Sequence, residues 1–168
     1  MYSALSIAHY LVRESIRNNI QLTAFKVEFM VCFAHGWHLA IDGRPLIDEP
    51  LKAYRHGPVI ESVHKFYGKV KRIETTVNED MIDCLKEQDR EFLYGILVYY
   101  GHLNELEMQS LCIEEGTPWF ATYKKSSGAL VIEDQRIKVH YKLLHVSHPE
   151  FCDLDDPISI MATETNNH

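Results

Sequence analysis

The chain has 168 residues, 46% of them hydrophobic, and a formal net charge of −7. That length suits one well-packed domain rather than two, and the acidic balance excludes a general binder of nucleic acid or anionic membranes, whose phosphates need a basic surface. Four cysteines, Cys32, Cys84, Cys112 and Cys152, are scattered without a CxxC pair, which excludes a disulfide framework or a zinc ribbon and fits a cytoplasmic protein.

Ala4, Ile7, Ala8, Leu11, Val12 and Ile16 recur at three- and four-residue steps, predicting an amphipathic first helix with Ser3 as its N-cap and Asn18-Asn19 at its end. This segment lacks the basic region and cleavage site of a leader peptide. The next stretch, Thr23 to Trp37, carries Phe25, Phe29, Met30, Phe33 and Trp37 at helical spacing, with Val27, Val31 and Cys32 filling the other side. A helix apolar nearly all round must be wrapped by its own domain. At about fifteen residues it is short of the roughly twenty that a membrane span needs. Thr23 is its expected cap, and Asp42-Gly43-Arg44-Pro45 forces a turn after Ala40.

Residues 46–56 lack helical period and contain Pro50, which fits a short edge strand or an extended crossing. Gly57-Pro58 then predicts a helix start, with Val59, Val63, Phe66 and Tyr67 as the buried face. The β-branched run at 70–77 predicts a short strand beside 46–56. A long helix is expected from Asn78 to Tyr100, turning Met81, Ile82, Leu85, Phe92, Leu93, Ile96 and Leu97 inward and stopping at Gly101. Asn104 and Glu107 have capping-box spacing, and Thr117-Pro118 opens another helix. Residues 126–129 read as a loop, 134–145 as a final helix, and the acidic segment 149–168 as a tail outside a domain of residues 1–148.

Chemistry-bearing residues are sparse in pattern. Cys32, His35 and His38 drift around the central helix, His145, His148 and Cys152 have poor spacing for an ion, and no HExxH, GxSxG, P-loop or GxGxxG occurs, so neither a metal nor a cofactor is expected. Lys65, Lys69, Lys71 and Arg72 read as a solvated helix end. Glu114-Glu115, before Gly116-Thr117-Pro118-Trp119, have two open readings: an anchor for a partner's lysine or arginine, or stabilisation of the following helix N-terminus. Cys112 sits between Leu111 and Ile113, which fits a buried inert thiol better than a nucleophile.

Three motifs in fixed order resemble the Panacea domain, the SocA-like antitoxin domain. Lys26, Phe33, Ala34, Gly36 and Trp37 match its helix motif. Gly43, Pro45 and Leu46 match its turn, and Ala53, Gly57, Pro58, Val59 and Val63 its Gly-Pro segment. Leu111, Glu115, Pro118 and Trp119 match its third motif, and Ile132, Ile137 and Tyr141 echo its closing pattern. The likeness covers residues 2–145. Glu28 stands where the family has glutamine, Phe29 and Cys32 replace a lysine and a tyrosine, Tyr54 and His56 replace Trp and Tyr, and Cys112-Ile113 replace Thr-His.

The resemblance implies an α+β, predominantly α-helical domain around a central buried helix with a small antiparallel β-sheet, found in bacteria and their mobile elements, including phages. It also implies a non-enzymatic protein that neutralises a toxin by direct binding, with delivery to a ClpXP-type protease as a further role. Lys26, Arg55, His56, Gly57, Glu115 and Trp119 are the expected partner contacts. Two other readings stand beside it. One is a hydrolase-like enzyme using Glu115 with His35, His38 or His56; the other is a phage-accessory protein that keeps the fold and has lost its partner site.

Overall fold

The computed structural model describes residues 1–70, 72–124 and 130–147. Helix α1 (Ala4–Arg17) is capped by the Ser3 side chain, which accepts from the Ser6 amide, and the chain leaves it through Asn19 at φ 56°. Ile16, expected on the buried stripe, is exposed at this end. Thr23 caps α2 (Ala24–Ile41), whose residues from Lys26 to Trp37 are all buried, as its all-round apolar character requires. Helix α2 is the axis of the fold, packed against α1, α3 (Glu61–Tyr67), α5 (Glu87–Tyr100), α6 (Glu105–Ile113) and α8 (Asp134–Ser147). The predominantly helical α+β class is therefore observed, with eight α-helices and one small antiparallel sheet among the described residues.

The sheet differs from expectation in its strands. β1 (Lys52–Tyr54) is the central strand and not an edge, flanked by β2 (Gly57–Val59) and β3 (Leu130–Val131). Gly57-Pro58 does not start a helix: it opens β2, paired Tyr54 to Gly57 and Ala53 to Pro58, and α3 begins only at Glu61. Gly57 has φ 140°, which excludes a helical start, and an added Cβ would lie 3.2 Å from Phe29 Cε1. Pro58 is tolerated because β2 is an edge strand. Phe66, expected on the buried face of α3, is exposed, whereas Val63 and Tyr67 are buried. Described residues between 70 and 77 form no strand; Ile73–Thr75 makes a single 3-10 turn.

The helix expected over 78–100 is two. α4 (Glu79–Ile82) ends at Asp83, Lys86 is extended at ψ 152°, and α5 starts after it. Buried Leu85 fills the corner, and the Ile82 carbonyl at the break accepts from both the Leu85 amide and Arg90 Nη2. The Asn104–Glu107 capping box is formed at α6, and Thr117 caps α7 (Pro118–Tyr123). Helix α8 runs two residues past the expected end. The expected 126–129 loop and acidic tail lie outside the described residues.

Candidate functional site

The β1–β2 hairpin turns on Arg55 and His56, both exposed. Its backbone is held from three sides. Trp119 Nε1 on α7 donates to the Tyr54 carbonyl at 2.7 Å, and Gln109 Nε2 on α6 donates to the His56 carbonyl at 2.8 Å. Gly57 is buried against Phe29 of α2 and Ile113 of α6. The result is a two-residue tip with solvent-facing side chains on a fixed backbone. Trp119 itself is 8% exposed and stacks on Tyr123 with centroids 4.7 Å apart, so its indole braces the hairpin from below.

Beyond α7 lies a cleft of about 650 Å³ between the end of α5, the α6–α7 junction and α8. Its walls are aromatic and aliphatic: Phe33, Tyr99, Tyr100, Leu103, Tyr141 and Leu144. Phe33 stacks on Tyr100 with centroids 4.4 Å apart, and Trp37 Nε1 donates to the Tyr100 hydroxyl at 2.8 Å. Tyr141 lies over Gly36, where any Cβ would overlap its ring. Burial pushes the Tyr100 and Tyr141 hydroxyls well above the ordinary tyrosine range, so both remain neutral donors. Glu114 and Glu115 are exposed and also line the cleft, with His102 and His140. Neither glutamate forms an ion pair among the described residues, and burial lowers the pKa of His140, leaving it uncharged at neutral pH. A smaller hollow, lined by Pro58 and Trp119, shares Leu111, Thr117, His140 and Tyr141 with the cleft and links it to the sheet.

Of the sequence-predicted contacts, Arg55, His56, Gly57 and Trp119 are joined at the hairpin, and Glu115 lies at the cleft. Lys26 sits elsewhere in role: it is 8% exposed, and its ammonium donates to the carbonyls of Gln21 at 3.0 Å and Gly101 at 2.8 Å. It thereby holds the end of α5, immediately before the cleft residues His102 and Leu103. Sequence reasoning missed Gln109, Tyr99, Tyr100 and His140. The adjacent tyrosines before Gly101 were the available signal; Gln109 had none.

The histidines of the enzyme reading are held by different neighbours. His35 Nε2 is 3.1 Å from Asp134 Oδ1, and His38 Nδ1 contacts the Arg44 carbonyl and borders a separate hollow beside Tyr2 and Asp89. His56 stands at the hairpin tip. Glu28, on the all-apolar α2, is buried, accepts from the Ile60 amide at 3.2 Å and lies 3.1 Å from His64 Nδ1. Its pKa is raised, mainly by burial. Burial also pushes the Cys32 and Cys112 thiols above their usual range, which disfavours the thiolate that a nucleophile needs. Among the described residues, no helix is long and apolar enough to cross a membrane, and no three His, Cys, Asp or Glu side chains are grouped to hold a metal.

No solved structure matches the chain. A curated relative, "Antitoxin SocA" from Caulobacter vibrioides (strain NA1000 / CB15N), is 24% identical over 127 residues, which is 69% of this chain and 68% of the relative. Residues 30–120, which contain α2 from Met30 onward, the hairpin, α6 and Trp119, match the family described as "Antitoxin SocA-like, Panacea domain", and the chain belongs to that family.

Proposed function

We propose that this protein neutralises a protein toxin by binding it directly, through the face that runs from the Arg55–His56 hairpin tip over Trp119 to Glu115. The observation that carries this reading is the clamped hairpin: two exposed cationic or titratable side chains on a backbone fixed by Trp119, Gln109 and Gly57. A preorganised tip loses little entropy when a partner docks. Membership of an antitoxin family supports the same reading. Gly57 and Trp119 shape the tip, and Lys26 supports the neighbouring cleft. In its finer form the protein is an adaptor that hands the bound toxin to a ClpXP-type protease.

The test is a pull-down of the tagged full chain from its host, read by mass spectrometry beside an Arg55→Glu/His56→Glu variant. Both substitutions are solvent-facing and leave the core intact. A small protein captured by the wild type and lost in the variant supports the reading. Retention of the same protein by the variant removes the hairpin from the contact face. An unchanged toxin half-life in a host lacking the protease removes the adaptor form.

A further inference from the structure

The cleft between α5, α6 and α8 has a composition that selects its occupant. Its walls are the rings of Phe33, Tyr99, Tyr100 and Tyr141, and its volume of about 650 Å³ is within the roughly 300–1,000 Å³ of specific binding pockets. At its border, Glu114 and Glu115 are exposed, adjacent and outside any ion pair formed among the described residues. Tyrosine rings attract a cation through their π faces, most strongly where water is excluded. A carboxylate accepts the planar fork of a guanidinium through both of its oxygens, which the point charge of an ammonium does not match. An acidic occupant would be repelled by the two glutamates, and a purely aliphatic one would gain nothing from them.

We infer that this cleft receives an arginine-bearing, otherwise apolar segment of the protein partner, with the guanidinium at Glu114 and Glu115 and the flanking apolar side chains against Tyr99, Tyr141 and Leu144. The identity of that segment as part of a toxin rests on the reading above; the chemistry of the cleft does not. The architecture supports a rigid receptor. Lys26 fixes the Gly101 end of α5, Gly36 lets Tyr141 lie directly on α2, and the Trp37–Tyr100 hydrogen bond sets the floor.

The probe is a capped tetrapeptide of leucine, phenylalanine, arginine and leucine, titrated into the isotopically labelled full chain. A second peptide carries citrulline, the neutral isostere, in place of arginine. The arginine peptide is expected to shift the amide signals of residues 99–103, 111–117 and 140–144. Its affinity should fall about tenfold or more with citrulline, and again in Glu114→Gln/Glu115→Gln. Equal binding of the two peptides, shifts confined to another surface, or no binding at millimolar peptide overturns the assignment. A chain that captures a toxin but ignores the arginine peptide loses the cleft assignment alone. One that binds the arginine peptide in the cleft but captures no toxin keeps the assignment and loses the antitoxin reading.

Discussion

The indole of Trp119 donates to the carbonyl of Tyr54 at 2.7 Å, tying α7 to the central strand across 65 positions of sequence. Because Tyr54 is the last residue of β1 before the turn, this bond sets the exit direction of the strand and thus where Arg55 and His56 point. The side chain is structural in placement, and in the proposed reading it positions the contact tip.

Trp119→Phe keeps an aromatic ring on Tyr123 and removes the donor, so it should cost about 0.5–1.5 kcal/mol, the net contribution of one hydrogen bond to a part-buried carbonyl. Trp119→Ala should cost more, about 3–5 kcal/mol, through the cavity it opens. Urea unfolding of both variants separates the two terms. A Trp119→Phe protein as stable as the wild type would show that the hydrogen bond contributes nothing.

Gly36 is needed for space, not for backbone freedom, since it lies within α2. Gly36→Ala would improve helix propensity by about 1 kcal/mol. The new methyl overlaps the Tyr141 ring, however, and over-packing of this kind costs about 1–3 kcal/mol. Net destabilisation is expected in thermal unfolding, with loss of arginine-peptide binding as Tyr141 is displaced. A more stable Gly36→Ala protein would contradict the close packing of α8 on α2.

Glu28 gives stability a pH dependence of definite sign. Its folded pKa is raised above the ordinary 4.5, mainly by burial. As pH rises from 4.5, the unfolded chain therefore releases this proton before the folded one does. This contribution is fully present below 4.5 and is lost as pH rises through the folded value. Glu28→Gln, which keeps an acceptor for the Ile60 amide, should remove the dependence and equal or exceed wild-type stability at neutral pH. Glu28→Ala strands that buried amide and should cost about 1–3 kcal/mol. A wild type that gains stability over Glu28→Gln as pH rises from 4.5 would reverse the account.

Thiol reactivity should divide the cysteines sharply. Cys84 is exposed, while Cys32 and Cys112 are buried with their thiolate forms disfavoured. In a Cys152→Ser background, a disulfide reagent at mildly alkaline pH should titrate Cys84 promptly and the other two only on unfolding. Prompt reaction of Cys112 would show that the hollow beneath Trp119 opens to solvent.

Local chemistry made much of the fold legible. Ser3, Thr23, the Asn104–Glu107 pair and Thr117 all cap the helices they announce, because a cap is satisfied within four residues. Helix α2 was legible because no surface could carry its apolar circumference. What failed depended on distant partners. The conformation of Gly57 is shared with Phe29 and Ile113, and β3 exists only through pairing with β1, as Lys52 meets Val131. The break at Lys86 is compensated by Arg90 reaching back to Ile82. At the site, Arg55 and His56 were legible as polar residues beside Gly-Pro, and Glu115 through its motif. The cleft was not, because its walls come from α2, α5 and α8, and no single window of sequence contains them.

The most direct test of the proposed toxin-binding face is rescue of growth. The protein is co-expressed with a toxin identified in the pull-down, as wild type and as Arg55→Glu/His56→Glu, with folding of each checked by thermal unfolding. The account predicts that the wild type restores growth and that the variant folds equally well yet fails to do so. Full rescue by the folded variant would contradict it.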